Sequence, residues 1–388
     1  MEPDLDRLRA TVEHLASFDR PSASEGERRA AEWIRGELEA LGVSARVEEE
    51  PAVGSMALPL GLLSAAGVLA ALGGRRTAVL GLLAAAGIVD DTSGGPHLFR
   101  RLLPHRPTYN VTGTVGDPDA EETLVFVAHH DAANGGLIFR PELTRLVADT
   151  FPRWYERQTT SPQMIRLVAA GPALAGLGAL LGLGPLRRLG TFLAAGSALA
   201  FFDIGTRTVV PGANDNLTAV AVILELARGL REEPVRGVRV LLVSTGSEES
   251  FMEGMRGWVR RHGPTLDPAR TRVVVLETLG SPELILLEGE GMIWMTDYDT
   301  GVRDLIARSA ERAGVPLRRG LRLGFATDAL SALRGGLATA TLASCDEYKM
   351  PANYHSQRDI PRNVDFRTVG SGVRVAWEAI RSAASGRG

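Results

Sequence analysis

The stretch Thr123-Leu124-Val125-Phe126-Val127-Ala128 is continuously apolar after its first residue, and His129-His130-Asp131 follows it directly. A short apolar run of this kind is typical of a strand buried on both faces in a parallel sheet. Side chains alternate along an extended backbone, so His129 and Asp131 share one face and His130 points away. Asp131 is then placed to orient His129 as a metal ligand. The alternative is a chance pair of surface residues.

Strands and helices alternate through most of the chain. Strands are predicted at Ser44–Glu49, Thr108–Val115, Thr123–Ala128, Val238–Ser244, Val273–Glu277, Glu283–Leu287, Met292–Met295 and Leu337–Ala343. Helices are predicted at Asp4–Phe18, Ser24–Leu41, Asp215–Arg231, Glu253–His262, Tyr298–Ala313 and Asp365–Ala384. This alternation predicts a three-layer α/β/α sandwich around a central mixed, mostly parallel sheet. Ser24 and Glu27 have the spacing of a helix-capping box.

Composition excludes several classes of protein. A length of 388 residues suits one large α/β domain or two ordinary ones. The net charge of -3 gives no basic surface for nucleic acid. Cys345 is the single cysteine, so neither an internal disulfide nor a cysteine-rich zinc site is possible. A metal would therefore be held by His, Asp and Glu. The acidic start of the chain predicts no cleavable signal peptide.

Two apolar stretches interrupt the α/β pattern. They predict two helical hairpins: Met56–Leu72 with Thr77–Val89, joined by Gly73–Arg76, and Leu167–Leu183 with Leu189–Phe202, joined by Gly184–Arg188. A membrane-spanning helix needs about 20 apolar residues, with a lower limit of roughly 17. The first helix of each pair reaches that limit and the second falls short. We expect both hairpins to lie in a membrane. The alternative is a pair of hairpins buried in a soluble core.

Four further polar groups stand at the ends of predicted elements. Asp215 precedes a helix, where it can bridge two cations or cap the helix. Glu248 and Glu249 follow a buried strand, which suggests one metal ligand and one proton acceptor unless both are solvated. Glu277 ends an apolar strand, and His355 lies in a loop. Each of these two is a metal ligand or a solvated side chain.

Taken together, these residues resemble the zinc aminopeptidase family that also includes glutamate carboxypeptidase and glutaminyl cyclases. The matching motifs are Ala128-His129-His130-Asp131, Gly212-Ala213-Asn214-Asp215-Asn216, Glu248-Glu249 with Gly254 beyond, Thr327-Asp328, Leu276-Glu277 and Tyr354-His355. The resemblance covers about residues 1–50, 105–135 and 205–385. Each motif is weak alone, but their order along the chain makes the set specific.

The resemblance implies a catalytic site with two Zn²⁺ ions per chain. One ion would be held by His129 and Glu277 and the other by Glu249 and His355, with Asp215 bridging both. All five ligand positions are filled, whereas glutaminyl cyclase relatives work with a single zinc. The complete ligand set therefore favours hydrolysis.

The resemblance also implies roles beyond metal binding. Glu248 would be the general base that takes a proton from zinc-activated water, and Asp131 would orient His129. A cis peptide bond often follows the bridging aspartate in this family, here at Asp215-Asn216. Two departures concern the substrate. Glu277 stands where the aminopeptidases usually have Asp, and Ser250-Phe251 replace small residues, so a different substrate pocket is expected.

The sequence thus predicts a membrane-associated metallo-exopeptidase, foremost an aminopeptidase acting on peptides. The alternatives are a glutaminyl cyclase or non-peptide amide hydrolase on the same fold, and a catalytically idle membrane scaffold. Residues 1–52, 92–162 and 204–388 are expected to form one catalytic domain, with hairpins at 53–91 and 163–203.

The placement of the hairpins predicts how the protein sits on the membrane. Arginines flanking the hairpins outnumber those in the two turns, which favours a cytoplasmic catalytic domain. The second hairpin interrupts the chain between His129 and Asp215. We therefore expect the hairpins near the mouth of the zinc site, with substrate arriving from the membrane. A homo-oligomer formed through hairpin packing is a further expectation.

Overall fold

A computed structural model describes residues 1–386. In this range a single mixed sheet contains nine strands: β1 (Ser44–Ala52), β2 (Arg106–Gly116), β3 (Thr123–His129), β4 (Arg239–Thr245), β5 (Thr271–Glu277), β6 (Glu283–Glu290), β7 (Thr296–Asp297), β8 (Arg318–Leu323) and β9 (Ala338–Cys345). Their order is β1-β2-β4-β3-β5-β9-β6-β7, and β8 pairs with β6. The four central strands β4, β3, β5 and β9 run parallel, so their carboxyl ends lie at one edge of the sheet.

The described part of the chain also contains thirteen α-helices: α1 (Leu5–Leu15), α2 (Glu25–Ala40), α3 (Ala57–Leu72), α4 (Ala78–Thr92), α5 (Glu142–Thr150), α6 (Pro152–Arg157), α7 (Ile165–Leu181), α8 (Gly184–Thr206), α9 (Thr218–Glu232), α10 (Glu253–His262), α11 (Thr300–Arg312), α12 (Asp328–Arg334) and α13 (Phe366–Ala384). Helices α2, α9, α11 and α13 form a layer on one side of the sheet, and α10 and α12 form a layer on the other. The predicted α/β/α sandwich with a mostly parallel centre is confirmed.

The predicted capping box at the start of α2 forms only in part. Ser24 Oγ accepts a hydrogen bond from the backbone N–H of Glu27 at 3.2 Å, as predicted. The Glu27 carboxylate does not return the contact to Ser24. It is buried and accepts hydrogen bonds from the backbone N–H of Tyr109 (2.8 Å) and from Ser247 Oγ (3.0 Å). Glu27 therefore ties α2 to strand β2 and to the loop after β4.

The outer side of the sheet departs most from the sequence prediction. The predicted strand Met292–Met295 is wrong, because Gly291 (φ 154°) turns the chain and the strand that pairs antiparallel with β6 is Thr296–Asp297. Strand β8 is not predicted. Its edge position lets it carry the exposed arginine Arg319 and a positive-φ residue, Gly320, in place of an apolar run.

The four apolar helices α3, α4, α7 and α8 pack against one another as a single bundle. At about 1.5 Å per residue, the 16-residue α3 is about 24 Å long and the 23-residue α8 is about 35 Å long. The hydrocarbon core of a bilayer is about 30 Å thick. Among the described helices, α8 is the one whose length and composition would allow it to cross a membrane.

The second hairpin corrects the sequence prediction in its turn. The turn lies at Gly182–Leu183, and α8 rather than α7 is the longer helix of the pair. Gly182 ends α7 in the left-handed conformation at φ 71°, and Pro185 occupies the first turn of α8, where its missing N–H leaves no partner unsatisfied. The arginine pair predicted for the turn therefore belongs to the first turns of α8.

Small residues lie where the helices of the bundle approach most closely, and many of its large apolar residues are exposed. A Cβ added to Gly190 would stand 2.1 Å from the backbone nitrogen of Ala175, so α7 and α8 meet at nearly backbone distance. By contrast, Leu83 is 64% exposed and Phe192 is 76% exposed. A water-soluble bundle has the opposite pattern, with large apolar side chains inside and polar ones outside. The bundle therefore exposes a large apolar surface.

The buried carboxyl group of Glu290, at the end of β6, makes stability depend on pH. It accepts hydrogen bonds from the N–H and the hydroxyl of Thr327, both at 2.9 Å, and burial raises its pKa to about 8. The folded state therefore binds a proton that the unfolded state releases near pH 4.3. The stability contributed by this proton is present at low pH and is lost as the pH rises toward about 8.

We expect Glu290→Gln to raise the melting temperature relative to the unmodified protein by a few degrees at about pH 8 and much less at about pH 5, because glutamine keeps an acceptor without a charge. Thermal unfolding followed by circular dichroism at both pH values measures the difference. Glu233→Gln, at an exposed position, serves as the control. A difference in melting temperature that does not change with pH would contradict this account.

Candidate metal centre

The predicted ligands are brought together by the central strands of the sheet. His129 is the last residue of β3, and Glu277 is the last residue of β5. Glu249 follows β4, and His355 lies in the loop after β9. Asp215 lies in the loop before α9. Because β3, β4, β5 and β9 are parallel, these positions meet at the carboxyl edge of the sheet, where ligand sites of α/β folds form.

Asp215 lies between two His/Glu pairs. Its Oδ1 is 3.3 Å from His129 Nε2, which in turn is 3.7 Å from Glu277 Oε1. Its Oδ2 is 3.3 Å from His355 Nε2, which is 3.2 Å from Glu249 Oε2. Each carboxylate oxygen of Asp215 thus faces a different imidazole. This is the grouping that the sequence motifs predicted.

The side chains present fit two divalent cations. The ligand atoms of His129, Asp215 and Glu277 lie within 4.8 Å of one another, as do those of Asp215, Glu249 and His355. Glu249 Oε1 is buried and has no hydrogen-bond partner among the described residues. A buried carboxylate without a partner is costly unless a cation neutralises it. The imidazole and carboxylate atoms are the ligands that zinc takes in proteins.

The pKa values within the cluster show strong coupling between its charges. Burial would lower the pKa of His129, but its contacts with Asp131, Asp215 and Glu277 raise it well above the ordinary histidine value. His355 behaves alike, since Glu249 and Asp215 outweigh burial and raise its pKa to about 10. The carboxylates thus favour the positively charged form of both histidines.

Glu248 differs from the other carboxylates of the cluster. Burial, together with the neighbouring charge of Glu249, raises its pKa well above the ordinary glutamate value. One of its oxygens lies within 4.8 Å of ligand atoms of both His129 and Glu249. Glu248 forms no hydrogen bond or ion pair with Asp215 or with His355. Glu248 is therefore next to the cluster and free to hold a proton.

Asp131 connects His129 to the loop after β4 that carries Glu248 and Glu249, which we call the glutamate loop. Its Oδ1 is 3.4 Å from His129 Nδ1 and accepts the backbone N–H of Glu248 at 3.0 Å. Its Oδ2 accepts the backbone N–H of Glu249 at 3.2 Å and the hydroxyl of Ser22 at 2.6 Å. Asp131 therefore orients the imidazole and at the same time fixes the loop that carries both glutamates. His130 points away, as predicted, and its Nδ1 meets Ser244 Oγ at 2.9 Å.

Arg20 and Asp359 form hydrogen bonds with the backbone near the proposed ligands. The buried guanidinium of Arg20 donates to the carbonyl oxygens of His130 (3.0 Å) and Pro211 (2.9 Å), which lie beside the first two ligands. Asp359 accepts the backbone N–H groups of Asn214 (2.7 Å) and Asp215 (3.1 Å). These contacts tie Asp359 to the loop of Asp215.

The Asp215-Asn216 peptide bond is cis, at the position that the family resemblance indicated. The side chain of Asn216 joins this loop to the end of β5. Its Nδ2 donates to the carbonyl oxygen of Leu276 at 2.9 Å, and its Oδ1 accepts the N–H of Thr278 at 2.8 Å. The position of Glu277, between these two residues, is thereby fixed relative to Asp215.

Several of these positions carried no signal in the sequence. Ser22 and Arg20 lie about a hundred residues from the groups that they contact, and nothing in the local sequence marks them. The same is true of Phe139, whose ring centroid is 4.4 Å from that of His355. Tyr354 stacks on the same imidazole at 3.9 Å. The two aromatic rings shield His355 from solvent.

The first hairpin joins the domain beside the glutamate loop. Glu253 begins α10, immediately after that loop, and accepts the N–H groups of Val53 (3.0 Å) and Gly54 (2.9 Å), which lead into α3. Arg100 lies 3.2 Å from Glu253 and also pairs with Asp91, in the last turn of α4. Both ends of the hairpin are thus tied to one carboxylate near the site.

The second hairpin returns to the domain beside His355. The N–H of Leu137 donates to Asp203 of α8 at 2.7 Å, two residues before Phe139 meets the imidazole. Asn134 donates to the carbonyl oxygen of Arg207 at 2.7 Å. Both hairpins therefore connect to segments that flank the metal ligands, which agrees with the prediction that they stand near the mouth of the site.

A family match over part of the chain supports a zinc-dependent peptidase. Residues 200–380 match the model of Peptidase family M28, and this segment contains four of the five proposed ligands. The match confirms the family resemblance found in the sequence motifs. No curated protein matches the chain.

Solved structures show the same fold over nearly the whole chain. The aminopeptidase from Aneurinibacillus sp. strain AM-1 is 14% identical, with a TM-score of 0.56 over 98% of this chain and 94% of that one. A Zn-dependent exopeptidase from Parabacteroides distasonis is 12% identical, with a TM-score of 0.57 and 98% of each chain covered. The glutaminyl cyclase from Bacteroides thetaiotaomicron, solved with N-acetylhistamine, is 15% identical, with a TM-score of 0.57 and 98% of each chain covered.

We expect Asp131→Asn to weaken zinc binding by about 10–100-fold, the usual effect of losing the partner of a ligating histidine. The amide cannot accept both backbone N–H groups of the glutamate loop, so the loop also loses a contact. Zinc affinity is measured by competition with a chelator of known affinity. Asp267→Asn, at an exposed position away from the cluster, is the matched control. Equal affinities in the two variants would contradict the role given to Asp131.

Proposed function

We propose that this protein is a membrane-associated metallo-exopeptidase, foremost a di-zinc aminopeptidase that removes N-terminal residues from peptides. The observation that carries the proposal is the position of Asp215, with one oxygen on each of two His/Glu pairs. A structural zinc site would need one closed set of four ligands. Two incomplete sets that share a carboxylate are instead typical of hydrolytic centres with two metals.

In this proposal the five side chains divide into two sets. His129 and Glu277 would hold one zinc ion, Glu249 and His355 would hold the other, and Asp215 would contribute to both sets. Bound zinc supplies a Lewis acid that polarises the scissile carbonyl and lowers the pKa of water. Asp131 keeps His129 in the required tautomer, since its carboxylate faces Nδ1 and leaves Nε2 toward Asp215.

Glu248 acts as the general base. It lies within reach of both sets of ligands without belonging to either His/Glu pair, and its backbone is fixed by Asp131. Burial raises its pKa, which suits a carboxylate that accepts a proton from water and later passes it to the leaving amine. A positioned base of this kind typically contributes about 10²–10⁴-fold in rate.

The membrane part of the proposal rests on the bundle. Small residues lie at its closest helix contacts, many of its leucines and the side chains of Phe192 and Phe202 are exposed, and α8 is long enough to cross a bilayer. We assign the bundle, residues 53–91 and 163–203, to the membrane and the remainder to one catalytic domain on the cytoplasmic side. Since the shorter helices are below the bilayer thickness, they embed beside α8.

A glutaminyl cyclase is the second candidate, because a solved structure of that activity matches the fold as well as the peptidases do. Turnover of an N-terminal Gln peptide to pyroglutamate, without cleavage of leucine anilides, would favour it. Hydrolysis is favoured instead because both pairs consist of a histidine and a glutamate that can bind a metal ion.

We expect the purified protein to hold two zinc ions per chain, Glu277→Ala to hold about one, and Asp215→Ala to hold none, because only Asp215 serves both sets. Inductively coupled plasma mass spectrometry after gel filtration gives the stoichiometry. Asp267→Ala should keep both ions. Retention of both ions by the Asp215 variant would overturn the bridging assignment, and a metal-free parent protein would overturn the zinc site.

We expect Glu248→Gln to keep both zinc ions and to lose about 10²–10⁴-fold in kcat for leucine anilides, since glutamine cannot accept the proton. Glu249→Gln provides a matched comparison at the adjacent position, where loss of zinc should accompany loss of activity. Unchanged kcat in the Glu248 variant would remove it as the base. Metal binding without any hydrolysis or cyclisation by the parent protein would favour the idle scaffold.

A further inference from the structure

A segment between β3 and the second hairpin exposes large apolar side chains next to the metal centre. We call residues 137–157 the flap; it contains a short turn of 3₁₀ helix, α5 and α6. Phe151 is 59% exposed and Trp154 is 56% exposed. Leu137, Ile138 and Leu146 are also more than half exposed. Single exposed apolar residues are ordinary, but a contiguous group marks an interaction surface.

The flap rests on the loop that carries His355. Lys349 Nζ, on that loop, donates to the carbonyl oxygens of Tyr155 (3.0 Å), Glu156 (2.8 Å) and Gln158 (3.0 Å) at the end of α6. At its other end, the ring of Phe139 packs on the imidazole of His355. The flap is therefore held against the loop of His355 at both ends, while Leu146, Phe151 and Trp154 are exposed.

The exposed side of the flap continues the apolar outside of the bundle. The N–H of Leu137, at the start of the flap, is hydrogen-bonded to Asp203 in the last turns of α8. The neighbouring side chains Leu199 and Phe202 of α8 are both 69% exposed. The exposed apolar surface of α8 thus continues past the end of that helix onto the flap.

We propose that the flap lies in the lipid–water interface of the bilayer that holds the bundle, with Phe151 and Trp154 inserted among the lipids. Tryptophan prefers this interface because its ring is apolar and its N–H needs a polar partner. Arg153 and Arg157, both exposed, lie beside these residues and can pair with anionic headgroups. This inference rests on the proposed membrane location of the bundle.

The consequence concerns the substrate of the proposed peptidase. With the flap in the interface, the loop of His355 faces the headgroup layer instead of bulk water. The accessible peptides are then those whose free end is held at the membrane surface. The continuity with α8 favours lipid as the occupant of the apolar surface, rather than a second protein.

Quenching of tryptophan fluorescence by brominated lipids tests the proposal. The chain has five tryptophans and none lies in the bundle, while Trp154 and Trp294 are the exposed ones among them. The protein is reconstituted in phosphatidylcholine vesicles whose acyl chains carry bromine near the headgroup end. We expect Trp154→Phe to reduce the quenched part of the emission by about half, as phenylalanine keeps the apolar ring but not the fluorophore. Trp33→Phe, on α2, should leave it unchanged.

The outcomes separate this inference from the proposed function. Equal quenching of the parent protein and the Trp154 variant, with both proteins floating with the vesicles, would overturn the interfacial flap and leave the membrane bundle intact. Failure of the parent protein to float with the vesicles would overturn the membrane location itself. A reduction of the quenched emission by about half in the Trp154 variant, with no change in the Trp33 variant, supports the proposal, whatever activity the metal centre proves to have.

Discussion

The burial of several carboxylates at one edge of the sheet is the constraint on which the rest of the structure depends. Asp215 lies between His129 and His355, with Glu249 and Glu277 beside it. Such a cluster repels itself unless cations occupy it and the surrounding backbone holds it in place. The parallel strands bring the residues together, because their carboxyl ends meet at this edge.

The backbone around the cluster is held mainly by groups that do not bind metal. Asp131 accepts N–H groups from the glutamate loop, and Asp359 accepts them from the loop of Asp215. Arg20 joins the two loops through carbonyl oxygens. Each of these hydrogen bonds joins a charged side chain to the backbone. Such bonds are stronger than hydrogen bonds between neutral groups. Ligand geometry is therefore set before a cation binds.

The bundle is connected to the same region and does not form a separate unit elsewhere on the molecule. Glu253 receives both ends of the first hairpin, and the second returns beside the flap. The candidate site and the bundle are consequently connected through the same loops. A shift of the bundle would act first on the loops that carry the glutamates and His355, which gives a physical reason for its insertion at these points of the chain.

The sequence by itself determined the central strands and most of the flanking helices of the sandwich, the five proposed ligands and the apolar hairpins, because periodicity and residue type are local properties. It did not determine β7 or β8, at the outer side of the sheet. Tertiary structure alone decided the partners of Asp131 and Glu27, the role of Arg20 and the position of the flap against His355, since these contacts join residues far apart in the chain. It also decided that α8 is the long helix. A glycine conformation and a proline position set the turn there, and composition alone does not record how tightly neighbouring helices pack.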